Sequence, residues 1–254
     1  MSARDDISED AFLGGRLHLR QPFRGHRAGH DAILLAAATG VLAGERVVEF
    51  GAGVGAAGLA VAKRIDRVGL MLVEIDEGLA ALARENAALN GIACDVVVLD
   101  VAAKAELFSM AGLAPDTADR VLMNPPFNDP VRHQPSPDRE RRTAHEARSS
   151  TLDTWVHAAR RLLKPGGTLT LIWRAEALSE VLAALGRGFG GIAILPMHPK
   201  SDAAAIRMLL KAEKGSGAPL ALWPGFVLNG DDGKPTAEAE RVLRGEETLR
   251  FGAD

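Results

Sequence analysis

A chain of 254 residues, 47% hydrophobic and 25% charged, is long enough to bury one substantial core. A formal net charge of −3 excludes a polycation, so any affinity for nucleic acid must come from a local patch. The single cysteine, Cys94, excludes a disulfide framework and a cysteine-rich metal site, and the apolar run from Ala32 to Ala43 is too short and interrupted to span a bilayer. The acidic start, Met1 to Asp6, lacks a signal-peptide core, and a cytoplasmic location is the expectation.

In chain order, residues 1–10 are expected to be a flexible start. Leu17 and Leu19 then alternate with His18 and Arg20, as in a half-exposed strand ending near Pro22. Asp31 is expected to cap a helix through Ala38. Strands are predicted near 46–50, 68–74, 95–99 and 120–123, with helices near 56–65 and 77–90, the latter capped by Asp76. Residues 152–163 read as an amphipathic helix ended by Lys164-Pro165-Gly166-Gly167. A strand from Thr168 to Trp173, a helix over 176–186, and a closing strand pair at 193–195 and 206–211 follow. Beyond 215 the pattern is less regular, with one short helix expected over 237–244. The alternation predicts an α/β fold with a mainly parallel sheet covered on both faces. One domain is expected over 1–254: an N-terminal extension or hairpin (1–30), a core (31–213) and a tail (214–254). The tail could pack on the sheet or form a subunit contact. Oligomeric state stays open, with a homodimer among the options.

Two stretches carry chemistry. The first is Gly51-Ala52-Gly53-Val54-Gly55, between an apolar strand and a helix, with a second strand ending at Glu74. Its glycines permit a tight turn and let a ligand approach the backbone. This pattern also fits a dinucleotide site. Charge separates the two readings, because a pyrophosphate wants helix amides free of nearby carboxylates. Glu49, Glu74 and Asp76 make this crevice acidic. That suits S-adenosylmethionine, which has a sulfonium, an ammonium and a ribose diol but no phosphate. Glu49, on a buried strand, needs a partner, and the donor's methionine end is the expected one. Glu74 is expected to bond the ribose hydroxyls.

The second stretch is Asn124-Pro125-Pro126-Phe127, at the carboxyl end of Val121-Leu122-Met123. Two prolines end the ladder and stiffen the chain. The Asn124 amide oxygen and the Pro125 carbonyl, facing one point, form a two-acceptor clamp for an NH2 group. Phe127 adds a flat face for a planar ring. The expected ligand is a planar amine, either a nucleobase or a carboxamide.

Glu49 to Gly55 resembles the first motif of class I S-adenosylmethionine-dependent methyltransferases. Val73-Glu74-Ile75-Asp76 and Ala83 to Gly91 resemble their second strand and helix. Asn-Pro-Pro-Phe is similar to the signature of enzymes that methylate planar nitrogens. Arg27-Ala28-Gly29-His30-Asp31-Ala32-Ile33-Leu34-Leu35 resembles a segment of the bacterial tRNA(Val) adenine-37 N(6)-methyltransferase family, in which a small hydroxyl residue often stands in place of His30. The resemblance implies a Rossmann-like seven-stranded sheet with an antiparallel closing strand. It implies cofactor contacts at Arg27, Asp31, Gly51, Gly53, Gly55, Glu74, Asp100, Val101 and Asn124, with Asp100 on the adenine amino group. It also implies methyl transfer to the amino nitrogen of an adenine in RNA, with tRNA as the expected species. The acid-free segment Arg16 to His30, with Arg16, Arg20, Arg24 and Arg27, is a candidate phosphate grip. The loop Arg132–Arg148 is a candidate lid. His133 and His145 lack a metal partner set, and no metal is expected. Rival acceptors are a guanine amino group of ribosomal RNA, a protein glutamine, or the oxygen of a small molecule. Rival classes are an NAD-dependent oxidoreductase and a non-catalytic RNA-binding module.

Overall fold

A computed structural model describes residues 7–24, 27–126, 151–186 and 188–252. In chain order, the strands and helices are β1 (Ile7–Phe12), β2 (Leu17–Pro22), α1 (His30–Ala38), β3 (Arg46–Phe50), α2 (Ala56–Arg64), β4 (Gly69–Glu74), α3 (Glu77–Leu89), β5 (Cys94–Val98), α4 (Ala105–Met110), β6 (Ala118–Met123), α5 (151–162), β7 (Leu163–Arg174), α6 (Leu178–Leu185), β8 (Phe189–His198), β9 (Arg207–Lys214), β10 (Ala221–Leu222), β11 (Phe226–Val227) and α7 (Ala237–Leu243). The main sheet runs β10-β8-β9-β7-β6-β3-β4-β5, with β11 also on β8. Only β9 is antiparallel to its neighbours. The expected seven strands are therefore present with their closing antiparallel strand. Two strands of two residues each lengthen one edge beyond that expectation.

The central strands are apolar on both faces because both are covered. Val47, Leu70, Leu72, Leu122 and Leu209 point into one core with α1, α2 and α3. Val48, Phe50, Val73, Met123 and Leu210 point into the other with α4, α5 and α6. The Lys164-Pro165-Gly166-Gly167 stretch does end α5, but it already lies in β7, as a bulge in the ladder with β6. The strand therefore starts at Leu163 rather than at Thr168.

The N-terminus differs from expectation. Of the flexible start expected over 1–10, residues 1–6 lie outside the described residues, and Ile7–Phe12 pairs antiparallel with β2, from Ile7 opposite Pro22 to Phe12 opposite Leu17. Leu17 and Leu19 are fully buried, as their alternation predicts. The outer edge of β2 is closed by side chains of a helix. On α3, Asn86 accepts from the Arg20 amide (2.7 Å) and donates to the Arg20 carbonyl (3.1 Å). Asn90 repeats the pattern on His18, at 2.9 and 2.6 Å. Residues four apart on a helix stand about 5–6 Å apart. Alternate residues of a strand repeat at about 6.6–6.8 Å. Two asparagines thus serve as the missing neighbour strand.

The tail packs on its own chain. The Leu249 amide donates to the Ala37 carbonyl (2.9 Å), Arg64 donates to the Val242 and Glu247 carbonyls, and Phe251 is buried. Asp31 is not a helix cap. Gly29 occupies that position, and Asp31 lies in the first turn of α1, where its Oδ2 accepts from Arg207 Nε of β9 at 3.0 Å. Asp76 does cap α3, accepting from the Leu79 amide.

Asn86 is completely buried and also donates to the Val54 carbonyl at 3.0 Å. Asn86→Ala is expected to cost about 1–3 kcal/mol, because it strands the buried Val54 carbonyl and the half-buried amide and carbonyl of Arg20. Urea denaturation measures the loss, and hydrogen exchange should show the Arg20 amide losing protection first.

Candidate active site

Phe50 of β3 pairs with Met123 of β6, so Gly51 and Asn124 leave adjacent strand ends together. β4 and β5 lie on one side of β3 and β6 and β7 on the other. The crevice is therefore at the point where strand order reverses, the usual ligand position in open α/β sheets. Gly51 has φ +64°, and a Cβ there would stand 2.5 Å from Trp155 Cη2. Gly53 has φ +56° and faces open space, with nothing within 4 Å of its absent side chain. The first glycine lets α5 close against the turn, and the second keeps the floor of the crevice clear. Gly55 follows with φ +86° and leads into α2.

Two cavities meet here. The larger, about 640 Å³, is lined by Gly51, Gly53, Glu74, Asp100, Val101 and Trp155, with Asn124, Pro125 and Pro126 at its other wall. The smaller, about 280 Å³, is lined by Arg27, His30, Asp31, Glu49 and Arg207. Gly51, Gly53, Leu79 and Asn124 line both. The Asn124 Oδ1 is buried and has no hydrogen-bond partner among the described residues. A buried acceptor left unpaired costs about 1–3 kcal/mol, so it marks a position awaiting a donor.

The acids are held by backbone amides. Glu74 is buried. Its Oε2 accepts from the Gly53 amide (2.7 Å), and its Oε1 accepts from the amides of Ile75 and Asp76 (2.9 Å each). Each oxygen has two lone pairs, so Oε2 keeps capacity for a hydroxyl. Asp100 Oδ1 accepts from the Ala102 amide at 2.8 Å. Glu49, expected at the donor's methionine end, lines the smaller cavity and also has a backbone partner. Its Oε2 takes the Gly58 amide of α2 at 2.7 Å, filling the place of a cap that Gly55 has no side chain to supply. Burial pushes the Glu49 carboxyl up to about 8. The Gly58 bond pulls against that rise, and the charge of Glu74 adds to it. The acceptors at Glu74, Asp100 and Asn124, the open floor at Gly53 and the ionic groups of the smaller cavity fit a donor bearing a sulfonium, an adenosine and an amino-acid end.

The arginine segment is less free than its sequence suggests. Arg27 bonds Asp10 (2.6 Å) and the Pro22 carbonyl (2.7 Å), and Arg20 faces Glu9 and Glu85. Arg16 bonds the carbonyls of Leu13 and Arg244. Strand β1 brings the acids alongside. Arg24 and Phe23 remain exposed. Phe127 and the loop Arg132–Arg148, with His133 and His145, lie outside the described residues. Sequence reasoning missed Trp155, which reads as one more apolar position of an amphipathic helix. It also missed Arg207, which lies 176 residues from Asp31 and gives no local signal.

A family model described as methyltransferase small domain matches residues 29–200. A tRNA1(Val) (adenine(37)-N6)-methyltransferase of Porphyromonas gingivalis is 30% identical over 161 residues, and the match spans about three fifths of each chain (61% of both). Ribosomal RNA small subunit methyltransferase C of Hahella chejuensis is 27% identical over 131 residues, 52% of this chain and 32% of the relative. A solved structure, described as a predicted O-methyltransferase from Agrobacterium tumefaciens, superposes with a TM-score of 0.72 at 30% identity. It covers 86% of this chain and 98% of its own.

The raised Glu49 pKa gives a pH signature. Between about 4.5 and about 8 the unfolded chain ionises this group while the folded chain does not, so stability falls as pH rises through that window and levels off above it. Glu49→Gln keeps an acceptor for Gly58 and cannot ionise. Thermal melts should coincide at the acid end of the window and diverge upward in pH, with the variant more stable. An offset independent of pH would show that this carboxyl is not the titrating group.

Proposed function

We propose, for a chain that belongs to the methyltransferase small-domain family, methyl transfer from S-adenosylmethionine to the exocyclic amino nitrogen of an adenine in RNA, with tRNA as the species. The chain is an S-adenosylmethionine-dependent methyltransferase with the Rossmann-like fold of class I enzymes; the acceptor is the proposal. The observation that carries it is the buried Asn124 Oδ1, unpaired among the described residues, at the junction of the two cavities.

When bound, S-adenosylmethionine supplies a methyl group on a positively charged sulfur that is already a good leaving group. In this reading Glu74 holds the ribose diol and Asp100 the adenine amino group. Val101 packs along the adenosine, while Arg27 and Asp31 hold the amino-acid end in the smaller cavity. Gly51, Gly53 and Gly55 keep the floor low. Glu49 braces the helix start beneath that floor.

Asn124 Oδ1 and the Pro125 carbonyl accept the two N–H bonds of the incoming amine. An aromatic amine is a poor nucleophile because its lone pair is delocalised into the ring. Two acceptors draw electron density onto the nitrogen and fix its orientation, and placement of this kind is a large effect. Pro126 stiffens the clamp, and Phe127 offers a face for the base. The base must be unpaired to enter, which an anticodon-loop adenine achieves at low cost. The surplus proton leaves to water.

A two-acceptor clamp matches an NH2 group, which has two hydrogens, better than a hydroxyl, which has one. This favours nitrogen over oxygen as the acceptor atom. The Porphyromonas gingivalis relative's name supports adenine in tRNA. The Hahella chejuensis relative's name favours ribosomal RNA as the second reading. No helix among the described residues is long and apolar enough to cross a membrane, and an RNA acceptor fits a cytoplasmic enzyme.

Asn124→Ala is expected to lower turnover at least a hundredfold while the donor's dissociation constant stays within about threefold. Near-normal turnover in that variant sinks the clamp. Labelled donor incubated with tRNA and ribosomal RNA from a strain lacking the gene should place label in methylated adenosine of the tRNA. Label in guanosine or in ribosomal RNA selects the second reading.

A further inference from the structure

Trp155 has no place in the clamp or among the acidic contacts, yet it lines the larger cavity. Its ring packs on Gly51, so closely that any side chain at that glycine would collide with Cη2 and Cζ3. It stands edge-on to Phe50, with centroids 6.5 Å apart and planes at 89°, and Phe50 stands edge-on to Phe108 at 6.0 Å and 80°. Phe50 and Phe108 are fully buried. The indole is therefore fixed from behind by two core rings while its own edge of the crevice stays open.

Gly51 is one of the four residues shared by the two cavities, beside Asn124. A donor spanning both cavities, with its adenosine by Asp100 and its amino-acid end by Asp31, has its sulfur at that junction. The acids nearest the junction already direct oxygens to backbone amides. Glu74 gives both oxygens to backbone amides, and Glu49, in the wall of the smaller cavity, gives one to Gly58. A positive charge in this place meets an aromatic ring, and tryptophan is the strongest aromatic partner for a cation.

We infer that Trp155 is the sulfonium-binding residue, holding the positive sulfur against its ring while the methyl group faces Asn124. The inference rests on the methyl-donor reading above and adds a charge preference to it. The site should favour the cationic donor over the neutral thioether product, so that loss of the charge on transfer weakens the hold on the product.

The test compares binding of S-adenosylmethionine and S-adenosylhomocysteine by titration calorimetry, without RNA. The full chain is used as wild type, Trp155→Phe and Trp155→Leu, with circular dichroism confirming the fold. Trp155→Leu should weaken the sulfonium ligand about two- to thirty-fold more than the thioether. Trp155→Phe should show a smaller differential of the same sign, and it decides the matter if the leucine variant does not fold. Equal weakening of both ligands means the ring is only packing, and overturns the inference. Unchanged binding of both with a raised KM for RNA makes Trp155 a wall of the acceptor site, and also overturns it. A wild-type chain that binds neither ligand would instead defeat the methyl-donor reading itself.

Discussion

The parallel pairing of β3 with β6 is the constraint on which the site depends. Phe50 opposite Met123 places a glycine turn and an asparagine on neighbouring strand ends. Strand register is all or nothing, since a slip of one residue sends every side chain to the opposite face. Here the register is locked from both sides. Val47 and Leu122 are buried in one core, and Val48, Phe50, Val121 and Met123 in the other. The distance between donor floor and acceptor clamp is thus set by the most rigid part of the molecule. The two prolines after Asn124 then prevent the chain from relaxing out of that position.

Electrostatics follow from the same geometry. A crevice for a cation needs acceptors, but free carboxylates in a buried floor would repel one another. The chain resolves this by giving each acid its own backbone partner and by burial that keeps Glu49 protonated up to about 8. Glu74 is held by three backbone N–H groups of the turns around it, and Glu49 by the first turn of α2. Gly58 is what permits the latter, for a Cβ there would stand 2.7 Å from Glu49 Oε2 and 2.6 Å from Leu72 Cδ2. The acid that braces the helix and the acid that faces the ligand are therefore separate, although they are neighbours in space and similar in sequence setting.

Most of the core was legible from local pattern. Strands such as Val47 to Phe50 and Val121 to Met123 show in their apolar runs, and the glycine turn shows because only glycine adopts the backbone it needs. What escaped depends on partners distant in sequence. Ile7–Phe12 looks like a solvated start because its residues are mixed, and only β2 beside it makes a strand of them. Asp31 has the form of a cap, but Arg207 claims its carboxylate across 176 positions. Glu49 seemed to need a ligand as partner, and a helix amide nine residues on supplies one. Arg20 and Arg27 read as free because the acids that answer them, Glu9 and Asp10 on β1 and Glu85 on α3, lie on other elements.

These long-range contacts bear directly on the site. The smaller cavity is built by Arg27, His30 and Asp31, which precede or begin α1. α1 starts without a side-chain cap, and the nearby bonds of Arg27 to the Pro22 carbonyl and of the Ala28 amide to Gln21 only tie the segment to β2. Its position comes from two anchors. On one side Arg27 and Gln21 are tied to Asp10, and the hairpin they belong to is stapled to α3 by Asn86 and Asn90. On the other, the tail grips α1 through the Ala37 carbonyl, and Arg207 reaches from β9 to Asp31. The hairpin and the tail lie outside the central sheet, yet they set where one end of the ligand crevice stands. The asparagines that close β2 stand near the end of the helix that follows Glu74, so one pair of side chains ties the hairpin to the strand-and-helix unit that carries the ligand-facing acid.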